Sequence, residues 1–387
     1  MPADLLRRTI ALPTLAVGDT VRGAFNPPRG GEGVPEGALQ AAIDWLCLTH
    51  DVTGRRGSSL GYHLLRGWMP AFPETTGYVI GTLLDHADRT GDASLVDRAR
   101  EMGEWEVEVQ NPDGGVMQGA LRTPPGRSIA FNTGMVIFGW LDLYEKLGTE
   151  LFLDAAVRAG RWLERTQTPE GTWQGEHEHH GIPHAYDARV AWALARLARV
   201  TGDERFRETA VRHLDWVLSV QQPNGWFEWC VFRPGTLPNS HALAYTTRGL
   251  LESGALLGDE RYTEAALKTA HVLSGIHRKL GRLPATYDRD WTPRARYVCV
   301  TGLAQNGGVW LRLYQETGDA GLLQAGLSAV EQAAGLQSRG RWRATNGAVP
   351  GSFPLYGRYA PLQYPNWAAK FLADSLALRL RVIGNGR

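Results

Sequence analysis

The chain has 387 residues, of which 43% are hydrophobic, 21% charged and 9% aromatic, and this ordinary globular composition excludes disordered, collagen-like and coiled-coil proteins. Its 41 Lys and Arg against 40 Asp and Glu leave a net charge of +1, which argues against nucleic-acid binding through bulk positive charge. The chain contains no apolar run of about 18 residues, so no membrane insertion is expected. No signal peptide is recognisable, and we expect a cytoplasmic protein. The 3 cysteines are widely separated, which argues against a disulfide framework and a cysteine-based zinc site.

Residues 1–36 open the chain, are rich in Pro and Gly, and are predicted to form an extended arm. Six amphipathic segments are then spaced along the chain, and each is predicted to be a surface helix. They are 37–50, 93–110, 150–167, 203–221, 260–277 and 319–337. The pattern is clearest in the third, where Leu151, Ala155, Ala159 and Trp162 recur at the three- and four-residue spacing of a helix stripe.

Six further segments alternate with these helices and are apolar on nearly every face. They begin at Pro73, Phe131, Tyr186, His241, Cys299 and Tyr364. A helix that is apolar all round is a buried helix, and the frequent Gly and Ala let such helices approach closely. The chain therefore alternates outer and inner helices through six pairs.

Tight turns join each inner helix to the next outer helix. Their glycines, Gly91, Gly148, Gly202, Gly258 and Gly318, recur every 54 to 60 residues. Glycine suits the left-handed residue just past a helix end, and the adjacent Asp or Thr can accept the free N–H groups that open the following helix.

A second motif, Gln-x-Pro-x-Gly, ends the outer helices at Gln110, Gln167 and Gln221, with a degenerate copy at Gln337. Because the turns, this motif and the buried segments share one period, residues 37–387 are predicted to form a single all-α domain, an (α/α)6 toroid. An open solenoid of the same helix pairs is the alternative.

The connections from outer to inner helices are long and should all lie at one end of the toroid. They span 51–72, 111–130, 168–184, 222–240, 278–298 and 338–363. Long loops in a compact domain are usually functional, and the six inner-helix N-termini that meet there favour anions and polar ligands. This end is the predicted site.

The loops and adjoining helix starts are rich in aromatic residues, whose flat faces suit sugar rings. The candidates for substrate binding are Trp68, Trp173, Tyr186, Trp229, Trp291 and Tyr364; packing beneath the loops is the alternative for each. Loops 278–298 and 338–363 also carry many arginines, which pair well with carboxylate or sulfate. An anionic carbohydrate substrate is expected, with a solvated charged rim as the alternative.

Glu74 and Asp187 stand at the starts of the first and third inner helices. Glycoside hydrolysis requires two carboxyl groups, one acting as acid and one as base or nucleophile. Across an inner ring these two side chains could face each other over a funnel. Capping of the helix N–H groups is the alternative role for both.

The segment 175–187 is dense in histidine, and such tracts can bind metal. It lacks the one-turn spacing of a helical metal site, so we expect no metal and no cofactor. His184, Tyr186, Asp187 and Arg189 are predicted to line the pocket. The preceding histidines are predicted to be exposed.

His241, Tyr245 and Arg248 are spaced about one turn apart, on one face of a helix. His241 and Tyr245 could act as base and acid, with Arg248 and Asn132 binding a carboxylate, which is the equipment for β-elimination or epimerisation of a uronate. Packing and capping are the alternatives. Asn132, Asn306 and Asn366, close to inner-helix starts, are predicted to bind substrate hydroxyl groups or to cap the helices, and Asp290 is a further binding candidate.

The alternation of outer and inner helices after residue 37 resembles the six-hairpin toroid superfamily, which includes glycoside hydrolases, polysaccharide lyases and sugar 2-epimerases. The phrases FPETTGY and FNTG are also similar to uncharacterised toroid proteins encoded among bacterial polysaccharide genes. Because fold alone does not set function, the resemblance implies an enzyme acting on carbohydrates and leaves the reaction open.

A weaker resemblance is to the terpene cyclase and prenyltransferase toroids, through the Gln–Trp pattern that runs from Ala159 to Trp173. Asp288-Arg-Asp290-Trp291 lacks the third aspartate of the cyclase Asp-x-Asp-Asp motif. The lanthionine cyclases pair Cys with His, whereas Cys299 is followed by Val300. Hydrolysis of an anionic glycan through Glu74 and Asp187 is the preferred prediction; the alternatives are a lyase or uronate epimerase, a cyclase-like enzyme, and a non-catalytic sugar-binding toroid.

Overall fold

The computed structural model describes residues 33–121 and 125–384. Almost all of the predicted arm, and residues 122–124 of one long loop, lie outside these ranges. Within them the chain forms twelve α-helices and five short strands. None of these helices is long and apolar enough to cross a membrane.

The outer helices are α1, α3, α5, α7, α9 and α11. They span Ala38–Asp51, Ala93–Val109, Glu150–Thr166, Glu204–Ser219, Glu260–Leu280 and Ala320–Gly335. Each buries one stripe against the inner ring; in α5, for example, Phe152, Ala155, Ala159 and Trp162 are buried while Leu151 stays exposed. These bounds agree with the predicted segments to within a few residues.

The inner helices are α2, α4, α6, α8, α10 and α12. They span Pro73–Thr90, Ala130–Leu147, Ala188–Thr201, Ser240–Leu257, Val300–Thr317 and Asn366–Gly384. Each packs against its two inner neighbours, and α12 also packs against α2. The ring is therefore closed, which confirms the toroid and excludes the open solenoid.

The turns that precede the outer helices have, in most cases, the glycine conformation and the aspartate cap predicted from the sequence. Gly91, with a φ of 75°, occupies the left-handed conformation at the end of α2, where a side chain would be strained. Asp92 then accepts a hydrogen bond from the Ser94 N–H at the start of α3, and the aspartates before α7, α9 and α11 make the same contact. Thr149, predicted to do likewise before α5, makes no such bond.

The repeated glutamine ties neighbouring outer helices together. Gln110 Nε2 donates both to the carbonyl of Gly114 in its own loop and to that of Ala155 in α5. Gln167 and Gln221 reach the next outer helix in the same way. Gln337 donates to the carbonyl of Ala38 at 3.1 Å, so the last copy links the final outer helix to the first and helps to close the ring.

The long loops carry short strands that the sequence did not indicate. β1 (Gly61–His63) pairs antiparallel with β2 (Gly67–Trp68) and with β5 (Gln363–Pro365). β3 (Val298–Cys299) pairs with β4 (Ser352–Phe353). These strands join the last long loop to the first and to the fifth, and they stiffen the end of the toroid at which the inner helices begin.

Candidate active site

A cavity of about 280 Å³ opens at the end of the toroid that carries the long loops. Its wall is largely aromatic and includes Phe72, Phe131, Tyr186, Phe232, Tyr359 and Trp367. The groups that can exchange protons lie among these rings: Glu74, Tyr78, His179, His180, His241 and Tyr245. The prediction that the site lies where the inner helices start therefore agrees with the position of this cavity.

Glu74 is, among the described residues, the one carboxylate in the cavity wall. It follows Pro73, the first residue of α2, so the helix start fixes its position. Burial among the aromatic rings raises the pKa of Glu74 to about 8, while Tyr78 and the positive charge of Arg189 oppose the rise. Desolvation exceeds both opposing effects, so the carboxyl is mostly protonated at neutral pH and can donate a proton.

His241 lies in the first turn of α8, where the Asn239 side chain caps its N–H group. The imidazole Nδ1 is hydrogen-bonded to the side-chain oxygen of Gln305 on α10. Burial lowers the pKa of His241 to about 3 although this hydrogen bond favours the charged form. A neutral ring that donates from Nδ1 keeps its lone pair on Nε2, so His241 can accept a proton at neutral pH.

Tyrosine hydroxyls surround these two groups. Tyr245 stands one turn after His241 on α8, with their ring centroids 4.4 Å apart, and burial raises its pKa. The Tyr78 hydroxyl lies close to Glu74 and Tyr245 and influences the pKa of both, although it makes no hydrogen bond of regular geometry with the described residues. These neutral hydroxyls can donate to a sugar oxygen.

A cluster of buried carboxyls extends behind the wall. Glu178 is fully buried and accepts hydrogen bonds from the His179 N–H at 2.6 Å and the Phe131 N–H at 3.3 Å. Burial raises its pKa to about 8, and the charge of Glu74 adds to the rise. Asp187 is also fully buried, its oxygens have no hydrogen-bond partner among the described residues, and burial and Glu178 raise its pKa.

The two carboxyls predicted to face each other across a funnel, Glu74 and Asp187, do not both line this cavity. Asp187 ends the short turn Ala185–Asp187 before α6, is fully buried, and is not part of the cavity wall among the described residues. Burial raises the pKa of its carboxyl, whereas a catalytic base has to be unprotonated and within reach of the substrate. Burial lowers the pKa of two histidines in the wall, His179 and His241. Because the Nδ1 of His179 is hydrogen-bonded to the side-chain amide nitrogen of Gln118, His241 is the better candidate for the base.

The histidine-rich segment folds back over this end of the toroid. His184 is buried, stacks on Tyr186 with ring centroids 4.4 Å apart, and its Nε2 is hydrogen-bonded to the carbonyl of His179. His179, predicted to be exposed, is partly buried in the cavity wall, and burial lowers its pKa to about 3. His180 is exposed as predicted. No group of three or more His, Cys, Asp or Glu suited to a metal occurs in the described ranges.

Several predicted binding residues have structural roles instead. The indole nitrogens of Trp173 and Trp291 donate to the carbonyls of Leu163 and Asn224, and Trp68 packs against Trp45 and Tyr62. Tyr364 is buried in β5. These contacts favour the alternative role of these four residues, packing beneath the loops.

The three asparagines anchor loops to helices. Asn132 donates to the carbonyl of Met117, and Asn306 donates to the carbonyls of Ser240 and Gly302. Asn366 donates to Ser58, Ser59 and Thr75. Because these amides are buried and engaged with the protein, they are not positioned to bind sugar hydroxyls.

Two predicted arginines line a second cavity instead. Arg189 and Arg248 are part of its wall and not of the wall around Glu74, although the charge of Arg189 still acts on Glu74. Arg248 shares a helix face with His241 but stands seven residues further along α8, about 10 Å at the helical rise. Asp290 is exposed in its loop and outside the cavity wall. Trp229 is 46% exposed, and its carbonyl accepts from the Ala185 N–H beside Tyr186, so it remains available near the mouth.

Two arginines of the loop 278–298 are engaged in ion pairs. Arg289 pairs with Glu228, and Arg294 with Asp288. The exposed Arg233 in the cavity wall has no ion-pair partner among the described residues. Sequence analysis missed it, together with Phe232, although their place in a long loop at the helix starts was a usable signal. It also gave no role to Tyr78, one turn after Glu74.

A closed ring of six helix pairs, with an aromatic cavity at the end where the inner helices begin, is the architecture of the six-hairpin glycosidase superfamily of carbohydrate-active enzymes. The comparison with known families agrees. The family described as Beta-L-arabinofuranosidase, GH127 catalytic domain, matches residues 74–275, and the chain belongs to that family. It is an enzyme of the glycoside hydrolase type.

Solved structures share the fold at low sequence identity. A sugar epimerase from a ruminal bacterium is 15% identical with a TM-score of 0.71, covering 89% of this chain and 97% of that one. The cellobiose 2-epimerase of Spirochaeta thermophila is 13% identical with a TM-score of 0.70, covering 97% and 99%. An unsaturated glucuronyl hydrolase from Streptococcus agalactiae is 14% identical with a TM-score of 0.65, covering 88% and 90%. No curated protein matches the chain in sequence.

Proposed function

We propose that this enzyme hydrolyses a glycosidic bond in an oligosaccharide, with Glu74 as the general acid and His241 as the general base. The observation that carries the proposal is the opposite effect of burial on these two groups in one cavity. Glu74 is kept protonated and His241 is kept neutral. A pair of titratable groups whose pKa values are displaced in this way can act as acid and base at the same pH.

In the proposed reaction, the carboxyl proton of Glu74 passes to the glycosidic oxygen as the bond from that oxygen to the anomeric carbon breaks. His241 Nε2 takes a proton from a water molecule, whose oxygen forms the new bond to the anomeric carbon. Glu74 ends as a carboxylate and His241 as an imidazolium, and transfer of one proton between them through solvent restores both. The tyrosine hydroxyls and aromatic rings orient the sugar.

An acidic sugar, of the uronate type, is the proposed substrate. The guanidinium of Arg233 lies in the cavity wall without an ion-pair partner among the described residues, and Arg binds carboxylates in a bidentate manner. The fold is also shared with unsaturated glucuronyl hydrolases. A cavity of about 280 Å³ suits one terminal sugar, with the rest of the chain passing over Trp229.

The test is incubation of the protein with a panel of neutral and acidic oligosaccharides, followed by two assays in the same samples. New reducing ends without the ultraviolet absorbance of unsaturated uronates support hydrolysis. Both signals together identify a lyase and contradict the proposal. A substrate set in which only neutral glycans are cleaved contradicts the uronate preference while leaving hydrolysis in place.

Epimerisation or β-elimination is the second candidate, because the contact of His241 with Tyr245 also supplies a base and an acid on one side of a sugar carbon. The sugar epimerases of the same fold are consistent with it. Neither reaction requires Glu74 as an acid at the glycosidic oxygen. Deuterium from solvent entering a sugar carbon, without new reducing ends, would support epimerisation.

The rate should depend on the protonation of Glu74 at alkaline pH. With its pKa at about 8, we expect kcat/KM to be level between about pH 5 and 7 and to fall roughly tenfold per unit above pH 8. Tyr78→Phe removes a group that lowers this pKa, so the alkaline limb should move to higher pH. A limb near pH 5, as for a solvent-exposed glutamate, contradicts Glu74 as the acid.

A further inference from the structure

A second cavity, of about 360 Å³, is lined by residues of the inner helices. We call it the axial cavity; Arg189, Trp192, Arg196, Arg248, Lys370 and Phe371 are part of its wall. Tyr78 contributes to both cavities, so the two are adjacent.

The axial cavity carries an excess of positive charge. Five cationic residues, Arg189, Arg196, Arg248, Lys370 and Arg381, line it against three aspartates, Asp85, Asp142 and Asp374. Four of the five cations are paired: Arg196 with Asp142, Arg248 with Glu252, Lys370 with Asp374, and Arg381 with Asp85.

Arg189 is the exception. It is 6% exposed, and no carboxylate of the described residues forms an ion pair with it. Its Nε lies 3.2 Å from the sulfur of Met135, and five aromatic rings stand 5.2–5.9 Å from its guanidinium carbon.

The charge of Arg189 is buried without a directly bound carboxylate among the described residues. Arginine stays protonated in proteins, so the charge cannot be removed by losing a proton. The carboxyls of Glu74 and Asp374 act on it only at a distance, whereas a buried charge is favoured when it is paired and hydrogen-bonded. An anion in the axial cavity would supply that pairing.

We propose that the axial cavity binds an anionic monosaccharide, whose carboxylate, sulfate or phosphate group pairs with Arg189. Trp192 and Phe371 offer flat faces for the sugar ring, and Thr82, Gln305 and Ser375 offer polar atoms for its hydroxyl groups. The volume, at the lower end of the range for small-molecule sites, admits one sugar and excludes a polysaccharide. This site is separate from the one proposed for hydrolysis, and its test needs no catalytic activity.

The test is calorimetric titration of the full-length enzyme with glucose 6-phosphate, glucose and sodium sulfate. We expect the sugar phosphate to bind at least tenfold more tightly than either of the others, because it alone combines the anion with the ring. Binding of glucose with equal affinity overturns the role of the anion. Binding of sulfate with equal affinity overturns the role of the sugar, and no binding of the sugar phosphate overturns the proposal.

Matched arginine variants locate the binding. Arg189→Met, which preserves much of the side-chain volume, should weaken binding of glucose 6-phosphate at least tenfold. Arg158→Met, an exposed arginine on α5, should change it less than twofold. Loss of binding in Arg233→Met with retention in Arg189→Met places the anion in the first cavity and overturns the proposal.

A second variant keeps the proposal testable if Arg189→Met does not fold. Arg248→Met removes a partly exposed cation of the same cavity and should weaken binding at least threefold. An unchanged affinity in that variant counts against the axial site.

Discussion

Replacing Glu74 with Gln is expected to lower kcat by about 10²–10⁴-fold, the usual contribution of a positioned general acid. The amide has the size and neutral charge of the protonated carboxyl but does not release a proton. Because Glu74 lies in the cavity wall at the start of α2, the substitution should leave the helix and the circular dichroism spectrum unchanged. The measurement is single-turnover hydrolysis of the substrate identified by the panel.

The matched control is Glu176→Gln, in the loop that also holds Glu178. The side chain of Glu176 is 80% exposed, so this variant should keep the activity of the unmodified enzyme. Retention of more than a tenth of the activity by Glu74→Gln contradicts the assignment of Glu74. An equal loss in the control would show that the effect is not specific to Glu74.

The base is identified by comparing His241→Ala with Asp187→Asn. If His241 accepts the proton from water, its removal should lower kcat far more than the change at Asp187, because Asp187 is fully buried outside the cavity wall and burial raises its pKa. If Asp187→Asn lowers kcat more than His241→Ala does, the result supports the pair of carboxyls predicted from the sequence, Glu74 and Asp187.

Gly139→Ala is expected to destabilise the fold by about 3 kcal/mol, at the upper end of the range for overpacking. A Cβ at Gly139 would lie 2.2 Å from the carbonyl oxygen of Gly77 on the adjacent inner helix. A Cβ at Gly77 would in turn lie 2.5 Å from the Cα of Val136. Since the obstacle is backbone on both helices, α2 and α4 would have to move apart.

Gly275→Ala on outer helix α9 is the matched control, because nothing lies within 4 Å of its Cβ position. There the same substitution should stabilise the protein by about 0.5–1 kcal/mol through helix propensity. Urea unfolding of both variants measures the difference. Equal shifts in the two unfolding midpoints would mean that the spacing of α2 and α4 adjusts freely to a methyl group.

The helical architecture could be predicted from the sequence because the patterns that indicate it are local. Helix stripes recur at the helical period, and each turn glycine and the aspartates that follow most of them act within a few residues of their position in the chain. The same applies to Glu74, whose place beside Pro73 at a helix start put it at the loop-bearing end without any knowledge of the packing. The strands that join distant loops, such as β1 with β5, carried no local signal.

The sequence pattern did not indicate how deep along the toroid axis a residue lies, and most of the differences between predicted and observed site residues come from this. His241 and Arg248 share a helix face, yet the helical rise separates them by about 10 Å and places them in different cavities. Trp173 and Trp291 were assigned to the substrate from their loops, whereas their side chains turn inward to backbone carbonyls.

The sequence by itself determined the repeat, the helices and the end at which the loops meet, because propensity, periodicity and turn chemistry act over short stretches of chain. It favoured a closed ring, and the packing of α12 against α2 excluded the open solenoid. Only the tertiary structure decided which carboxyl faces the cavity and which is sealed behind it. It also decided that burial lowers the pKa of His241, although a hydrogen bond to Gln305, 64 residues away, opposes that effect. Proton affinity depends on desolvation and on neighbouring charges in three dimensions, and these are set only when the ring has closed.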